Sequence, residues 1–217
     1  PAFRALFFGL TRNGLSTNPD DVPLAGFLAF LRFYTVMRRD AWRFEYLPNG
    51  GGDVCEELSA AITQLGGEIK YKSRVMRIAK DGDWIAHFES DEGSSSIRSR
   101  FVILASDSPS AESIIGSSFH ADGLFFPHGL SHAVIRLWFD KQPRKHPEAG
   151  IFSGDFIMHN FFWLDKIYDE YRKWSDETGG ACIEVHVYGP NNVLKQNDAV
   201  LLTNVLTDFY RAFPELK

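Results

Sequence analysis

The stretch between residues 47 and 106 constrains this chain more than any other part, because its elements follow one another in order with little spacer between them. Pro48-Asn49-Gly50-Gly51-Gly52 reads as a turn, and Asp53 stands where a helix cap would, with Glu56 three residues on in capping-box spacing. Leu58, Ile62 and Leu65 give that helix one apolar stripe, and Gly66-Gly67 ends it. Short β-like segments follow at 68–72, 75–79 and 84–90, the last two joined by the tight turn Asp81-Gly82-Asp83. After a polar tip at 91–95, Phe101-Val102-Ile103-Leu104-Ala105 is an unbroken apolar run, as expected for a strand covered on both faces.

The first forty residues read as two helices. Phe3, Leu6, Phe7 and Leu10 recur at helical spacing and Asn13-Gly14 stops the run. A second helix starts near Pro23, with Leu24, Phe27, Leu28, Leu31 and Tyr34 on one side. Phe30, Phe33 and Val36 widen its apolar band, so it is an ordinary core helix, the cover of a greasy cavity, or a surface for membrane contact. Beyond residue 106 a short helix is expected at 109–115 and a strand at 133–139, with Val134, Arg136 and Trp138 on one face and Ile135, Leu137 and Phe139 on the other. One or two strands lie within 150–162, a helix at 165–174, and a helix near 198–213. Between the last two helices, Cys182, Glu184, His186 and Tyr188 alternate with Ile183, Val185 and Val187.

A net charge of −5 argues against nucleic acid, which asks for a basic face. The longest uncharged apolar stretch, 22–31, is too short for a span that needs about 20 residues. Two distant cysteines, Cys55 and Cys182, leave one disulfide possible and a reducing compartment simpler, and no secretory signal is visible. The expected location is cytoplasmic, with peripheral membrane contact through the Phe-rich helices of residues 3–37.

Gly50-Gly51-Gly52 before a helix can cradle an anion on backbone N–H groups, but no Gly-Lys-Ser/Thr follows and no G-x-G-x-x-G occurs in the chain. Taken together, Leu47-Pro48-x-Gly50-Gly51, a helix, Gly66-Gly67-Glu68-Ile69, Val75-Met76-Arg77-Ile78, Asp81-Gly82-Asp83 and 101–105 form a series that resembles the middle of FAD-dependent flavoproteins of the amine oxidase and phytoene desaturase superfamily. The resemblance implies that Val75 contacts the adenine of FAD through backbone atoms. It implies also that Ala105 and Ser106 pass near the dinucleotide, and that Gly50 and Gly51 let backbone approach the flavin end. On the residues alone, Val75 and Ile78 are strand core. The family's N-terminal phosphate-binding β-α-β unit and its C-terminal glycine-rich segment have no counterpart here, and the chain opens at Pro1 inside an apparent helix. The expectation is therefore an internal segment that binds FAD weakly or not at all by itself.

The segments 131–140, 150–156, 159–164 and 184–190 look like carotenoid desaturases, with greatest likeness to the β-carotene desaturase/methyltransferase branch. That resemblance implies hydride removal from a hydrophobic polyene to flavin. Other members of the superfamily, amine or protoporphyrinogen oxidases, and a non-catalytic hydrophobic-ligand module stand as alternatives. Nineteen Phe, seven Tyr and five Trp suit either an apolar tunnel or a core. His159, Phe161, Phe162 and Trp163 are the candidate substrate-binding residues, although His159 and His186 equally fit hydrogen-bonded core histidines. His128 and His132 have ligand-like spacing, but no Cys or carboxylate completes a metal set and none is expected. Arg136, Glu184 and Asp155 are expected to pair within the sheet, since lone buried charges are costly. No nucleophile–His–Asp set points to catalytic residues.

The expected fold class is α+β. Residues 1–46 form a helical part of a substrate domain, 47–106 a strip of an FAD-binding β/α domain with a small β-meander, and 107–217 a substrate-binding domain of mixed β-sheet with flanking helices.

Overall fold

The computed structural model describes residues 2–217 apart from 18, 41, 42, 44, 48, 121, 122, 128, 130 and 190, and apart from the side chains of 2–6 and 191. Pro48, His128 and Pro190, and the side chains of Phe3 and Leu6, thus lie outside the described residues. In chain order the elements are α1 (Ala2–Leu15), α2 (Leu24–Leu31), α3 (Gly52–Gln64), β1 (Arg74–Asp81), β2 (Asp83–Ser90), β3 (Gly93–Ser99), α4 (Ser108–Ser118), β4 (Ala133–Phe139), β5 (Ala149–Ile151), β6 (Asn160–Trp163), α5 (Leu164–Ile167), α6 (Asp169–Thr178), β7 (Ala181–Val187), α7 (Asn191–Leu194) and α8 (Asp198–Ala212). They gather into two units, one of residues 1–53 and 130–217 and one of residues 54–129. The expected divisions at 46/47 and 106/107 thus stand beside observed ones at 53/54 and 129/130.

The first unit is built on a four-stranded sheet of order β4-β7-β6-β5. Period-two alternation sets its two faces. Ile183, Val185 and Val187 of β7 are fully buried and pack with Leu201, Val205 and Phe209 of α8. Ile135, Leu137 and Phe139 of β4 join them, and Phe139 stacks on Phe209 with ring centroids 5.0 Å apart. The sheet expected to be mixed is antiparallel throughout its described pairs. The reason is the α5–α6 excursion: β6 ends at Trp163, opposite Ile183, so the chain leaves and returns at the same end of the sheet. Where β6 stops, Asp165 Oδ1 takes over as acceptor for the Cys182 N–H at 3.0 Å. Gly150 is required by close packing, since a Cβ there would run into the ring of Phe161 across the β5–β6 pair.

In the same unit α1 runs on to Leu15 instead of stopping at Asn13-Gly14, because Asn13 Nδ2 donates back to Gly9 O at 2.8 Å and stays within the helix. The Phe27 ring of α2 lies 5.1 Å from that of Phe7, and Phe30 fills the space beside Gly14. After α2 a π-helical turn, Arg32–Val36, closes on Met37 N–H to Arg32 O at 3.0 Å. The opposite side of this segment is bare: Leu24 is 71% exposed and Val36 78%. Among the described residues no helix is long and apolar enough to cross a membrane.

The second unit carries the three-stranded antiparallel meander β1-β2-β3, with α4 against β1. Ser118 Oγ accepts the Ile78 N–H and Ser117 Oγ donates to Met76 O, both at 2.8 Å. Its buried apolar residues among those described are Ile78, Phe88 and Ile114. Three sequence expectations change here. The strands expected at 68–72 and 101–105 are not paired, and Phe101 and Ile103 are 80% and 90% exposed. A strand needs a neighbour for its backbone as well as apolar side chains, and none of the described residues supplies one. The residues expected as a polar tip begin β3, Gly93–Ser99, which pairs with β2 through its backbone despite having almost no apolar side chain. Finally, α3 starts at Gly52, so Asp53 lies inside the first turn and its carboxylate accepts from Asn49 Nδ2 at 2.9 Å.

Candidate functional site

The face of the sheet turned away from α8 carries a connected row of polar side chains. Strand register places Arg136 opposite Glu184 and Val134 opposite His186, while Phe162 and Asn160 flank the same two residues from β6. Arg136 Nε donates to Glu184 Oε2 at 2.7 Å. Glu184 Oε1 lies 2.9 Å from His186 Nε2, and His186 Nδ1 lies 2.9 Å from Tyr188 Oη. Asn160 Nδ2 reaches the same Oη at 3.3 Å. His186 and then Arg136 hold the Glu184 carboxyl below the usual carboxylate range, against the opposing effect of its burial. Asp155 takes no part in this pairing; its backbone carbonyl accepts from Arg211 instead.

Apolar groups surround that polar row. Phe162 packs on His186 with ring centroids 5.4 Å apart and Tyr46 meets Phe162 edge-on at 6.4 Å. Val134 and Trp138 stand about half exposed on the same face. A polar centre with an aromatic and aliphatic border is what an apolar ligand with one reactive position requires.

His159 lies next to this face. It is 5% exposed, and its Nδ1 accepts the Tyr188 N–H at 3.1 Å, so its neutral ring carries the proton on Nε2. Burial, reinforced by the Arg12 charge, pushes its pKa down to about 4. His159 and Arg12 line two hollows. One of about 420 Å³ is bordered by Phe8, Phe152, Phe156 and Met158, and one of about 460 Å³ by Asn204, Asp208 and Arg211. Burial also lowers the pKa of Arg12, whose Nε has no hydrogen-bond partner among the described residues.

Of the residues picked from sequence as substrate contacts, Phe162 lies on the sheet's polar face and His159 between the two hollows. Phe161 and Trp163 turn to the core, where they meet Phe213 at 5.9 and 5.6 Å. The row from Arg136 to Tyr188 was missed as a unit. Its alternation is visible in sequence, but which strand lies opposite which is not. A second buried cluster was missed too: His146 Nε2 lies 2.9 Å from Asp165 Oδ2, off the hydrogen-bonding line, with the His146 ring edge-on to Trp163 at 4.6 Å. Burial lowers the pKa of His146 although Asp165 opposes the shift, and burial raises that of Cys182 to about 12.

The residues picked as cofactor contacts fall in both units: Gly50 and Gly51 in the first, Val75, Ala105 and Ser106 in the second. Gly50 has φ +84°, and a Cβ added at Gly50, Gly51 or Gly52 would meet nothing, so the backbone there is open to a large group. Val75 sits on edge strand β1, just before the irregularity between Val75 and Arg77, and Ala105 and Ser106 are exposed on the unpaired segment. Taken separately, each unit thus leaves main-chain groups accessible, at Gly50–Gly52 in the first and at Ala105 and Ser106 in the second.

The model of one protein family, the flavin containing amine oxidoreductases, matches residues 3–217. No curated protein matches the chain.

Proposed function

Because the chain belongs to the family of flavin-containing amine oxidoreductases, which are flavin-dependent oxidoreductases, we propose that it forms the substrate-binding part and one strip of the cofactor domain of an FAD-dependent desaturase acting on a hydrophobic polyene of the carotenoid class. The observation that carries this reading is the sheet face on which Val134, Trp138, Phe162 and Tyr46 border the Arg136–Tyr188 row. A rigid polyene has no charged handle, so it is held by apolar and aromatic walls, which also stabilise positive charge developing on its carbon skeleton.

Gly50 and Gly51 would admit the flavin end of the cofactor, and Val75, Ala105 and Ser106 the adenosine end, each through main-chain atoms. When bound, the flavin supplies the two-electron acceptor. The exposed apolar stripe of α3 (Leu58 59%, Ile62 43%) and of 101–105 supports a cofactor strip that further protein completes, so this chain by itself binds FAD weakly or not at all. The uncovered side of the α2 segment supports peripheral membrane contact, a suitable route for a lipid-soluble substrate. Leu28 and Phe33 are the exposed residues to replace by Glu in a flotation assay, since Phe7 and Phe30 pack between α1 and α2. Wild-type protein floating with liposomes and the double variant remaining behind is the expected outcome; equal flotation of both contradicts it.

The functional test is to incubate the flavin-loaded protein with a carotenoid, an amine or a porphyrinogen and analyse the products by mass. Loss of hydrogen from the carotenoid alone is expected. Turnover of the amine or the porphyrinogen in its place, or absence of flavin from the protein once its cofactor side is completed by the further polypeptide, overturns the assignment.

A further inference from the structure

The hydrogen-bonded row on the open sheet face has a direction, and it follows from what each atom can do. Glu184, charged and gripped by Arg136, only accepts. In neutral His186 the ring proton must therefore sit on Nε2, facing Glu184 Oε1, which leaves Nδ1 as an acceptor. Tyr188 fills that acceptor with its own O–H. One of the two lone pairs on Tyr188 Oη is taken by Asn160 Nδ2, and no other hydrogen bond reaches Oη from the described residues. One acceptor position on the phenol is left over. Carboxylate, imidazole and terminal hydroxyl in this order form the arrangement by which an oriented base withdraws a proton through a side-chain oxygen. The rings of His159 and His132 lie 5.6 and 5.9 Å from that of Tyr188. Side-chain exposures of 17% for His186 and 16% for Glu184 leave the row close to the open surface.

We propose that Tyr188, backed by His186 and Glu184, is the proton acceptor of the dehydrogenation. The proposal rests on the dehydrogenation reading above and adds the group that completes it. Converting a C–C bond into C=C removes a hydride from one carbon and a proton from its neighbour. Oxidised flavin, when bound, would supply the acceptor for that hydride and its electron pair. At the neighbouring carbon the C–H bond breaks and its electrons become the second bond of the alkene. The proton passes to Tyr188 Oη while the Tyr188 proton moves to His186 Nδ1, leaving an imidazolium against the Glu184 carboxylate. Asn160 keeps the phenol oriented throughout, and release of the His186 proton to solvent resets the row.

Two measurements test this, and they fail separately from the substrate assignment. Nuclear magnetic resonance of isotope-labelled histidine in the flavin-free protein should find neutral His186 protonated on Nε2. Protonation on Nδ1 reverses the row and overturns the proposal whatever the substrate proves to be. In the flavin-loaded protein, Tyr188→Phe should lower kcat by about 10²–10⁴-fold, the range for general acid–base groups, with KM and flavin content unchanged. It should also abolish the solvent deuterium isotope effect on kcat that the wild type shows. A Tyr188→Phe protein with wild-type kcat overturns the proposal. If that variant loses its flavin or fails to fold, Glu184→Gln decides: a large loss of kcat with flavin retained supports the relay, and wild-type turnover overturns it. A wild type that dehydrogenates no polyene refutes the substrate assignment and leaves the tautomer measurement to judge the row by itself.

Discussion

The two units of this chain put their apolar residues to opposite effect. In the first, strand alternation and the α8 stripe meet, so Ile183, Val185, Val187, Val205 and Phe209 are completely buried. In the second, Ile78, Phe88 and Ile114 are buried, while Leu58, Leu65, Phe101 and Ile103 stand in the open. Both carry the correct periodicity for their elements. What differs is the presence of a layer to face: α8 covers one side of the first sheet, whereas α3 and 101–105 have no sheet among the described residues to lie on. An apolar pattern therefore announces a buried surface without telling whether its partner belongs to the same stretch of chain.

Mutation should expose that asymmetry. Phe209→Ala opens a cavity between Phe139 and Phe213 and should cost about 3–5 kcal/mol in urea unfolding. Next in size is a pH effect at His159. Its folded pKa, about 4 against an ordinary 6.5, is depressed, so the stability from keeping it neutral is fully present above pH 6.5 and drains away as pH falls towards 4. The loss should be about 3 kcal/mol, and His159→Gln, which retains an acceptor for the Tyr188 N–H, should remove that part of the pH dependence in thermal melts. Asn197→Ala deletes the cap that accepts the Ala199 N–H at 2.9 Å and should weaken α8 by about 1 kcal/mol. Smallest is Ile103→Ala, which should fall within about 0.5 kcal/mol of wild type in this chain because the side chain contacts water already. A large loss at Ile103, or a small one at Phe209, would break the comparison.

Much of the first unit was legible in the sequence because its strands alternate cleanly. The two faces of 133–139 and of 182–188 follow from period two alone, and so does the core role of Ile183, Val185 and Val187. Pairing was harder. The cost of lone charges predicts a pairing among Arg136, Glu184 and Asp155, of which the first two meet, but the row that continues to Tyr188 and Asn160 depends on β7 lying between β4 and β6, and such a crossover leaves no local trace. In a string, aromatic residues of a ligand wall and of a core look alike; the phase of β6 sends Phe161 and Trp163 to the core and Phe162 to the open face. In the second unit, β3 escaped notice because Gly93–Ser99 holds almost no apolar residue and pairs by backbone alone.

Amide hydrogen exchange measured on this chain alone and on the flavin-loaded protein tests the central contrast most directly. Slow exchange of β4, β6 and β7 is expected in both, with α3 and residues 101–105 exchanging fast alone and becoming protected when the cofactor side is complete. Equal and strong protection of α3 and 101–105 in the isolated chain would show that their apolar faces already have a partner within it, and would contradict the account.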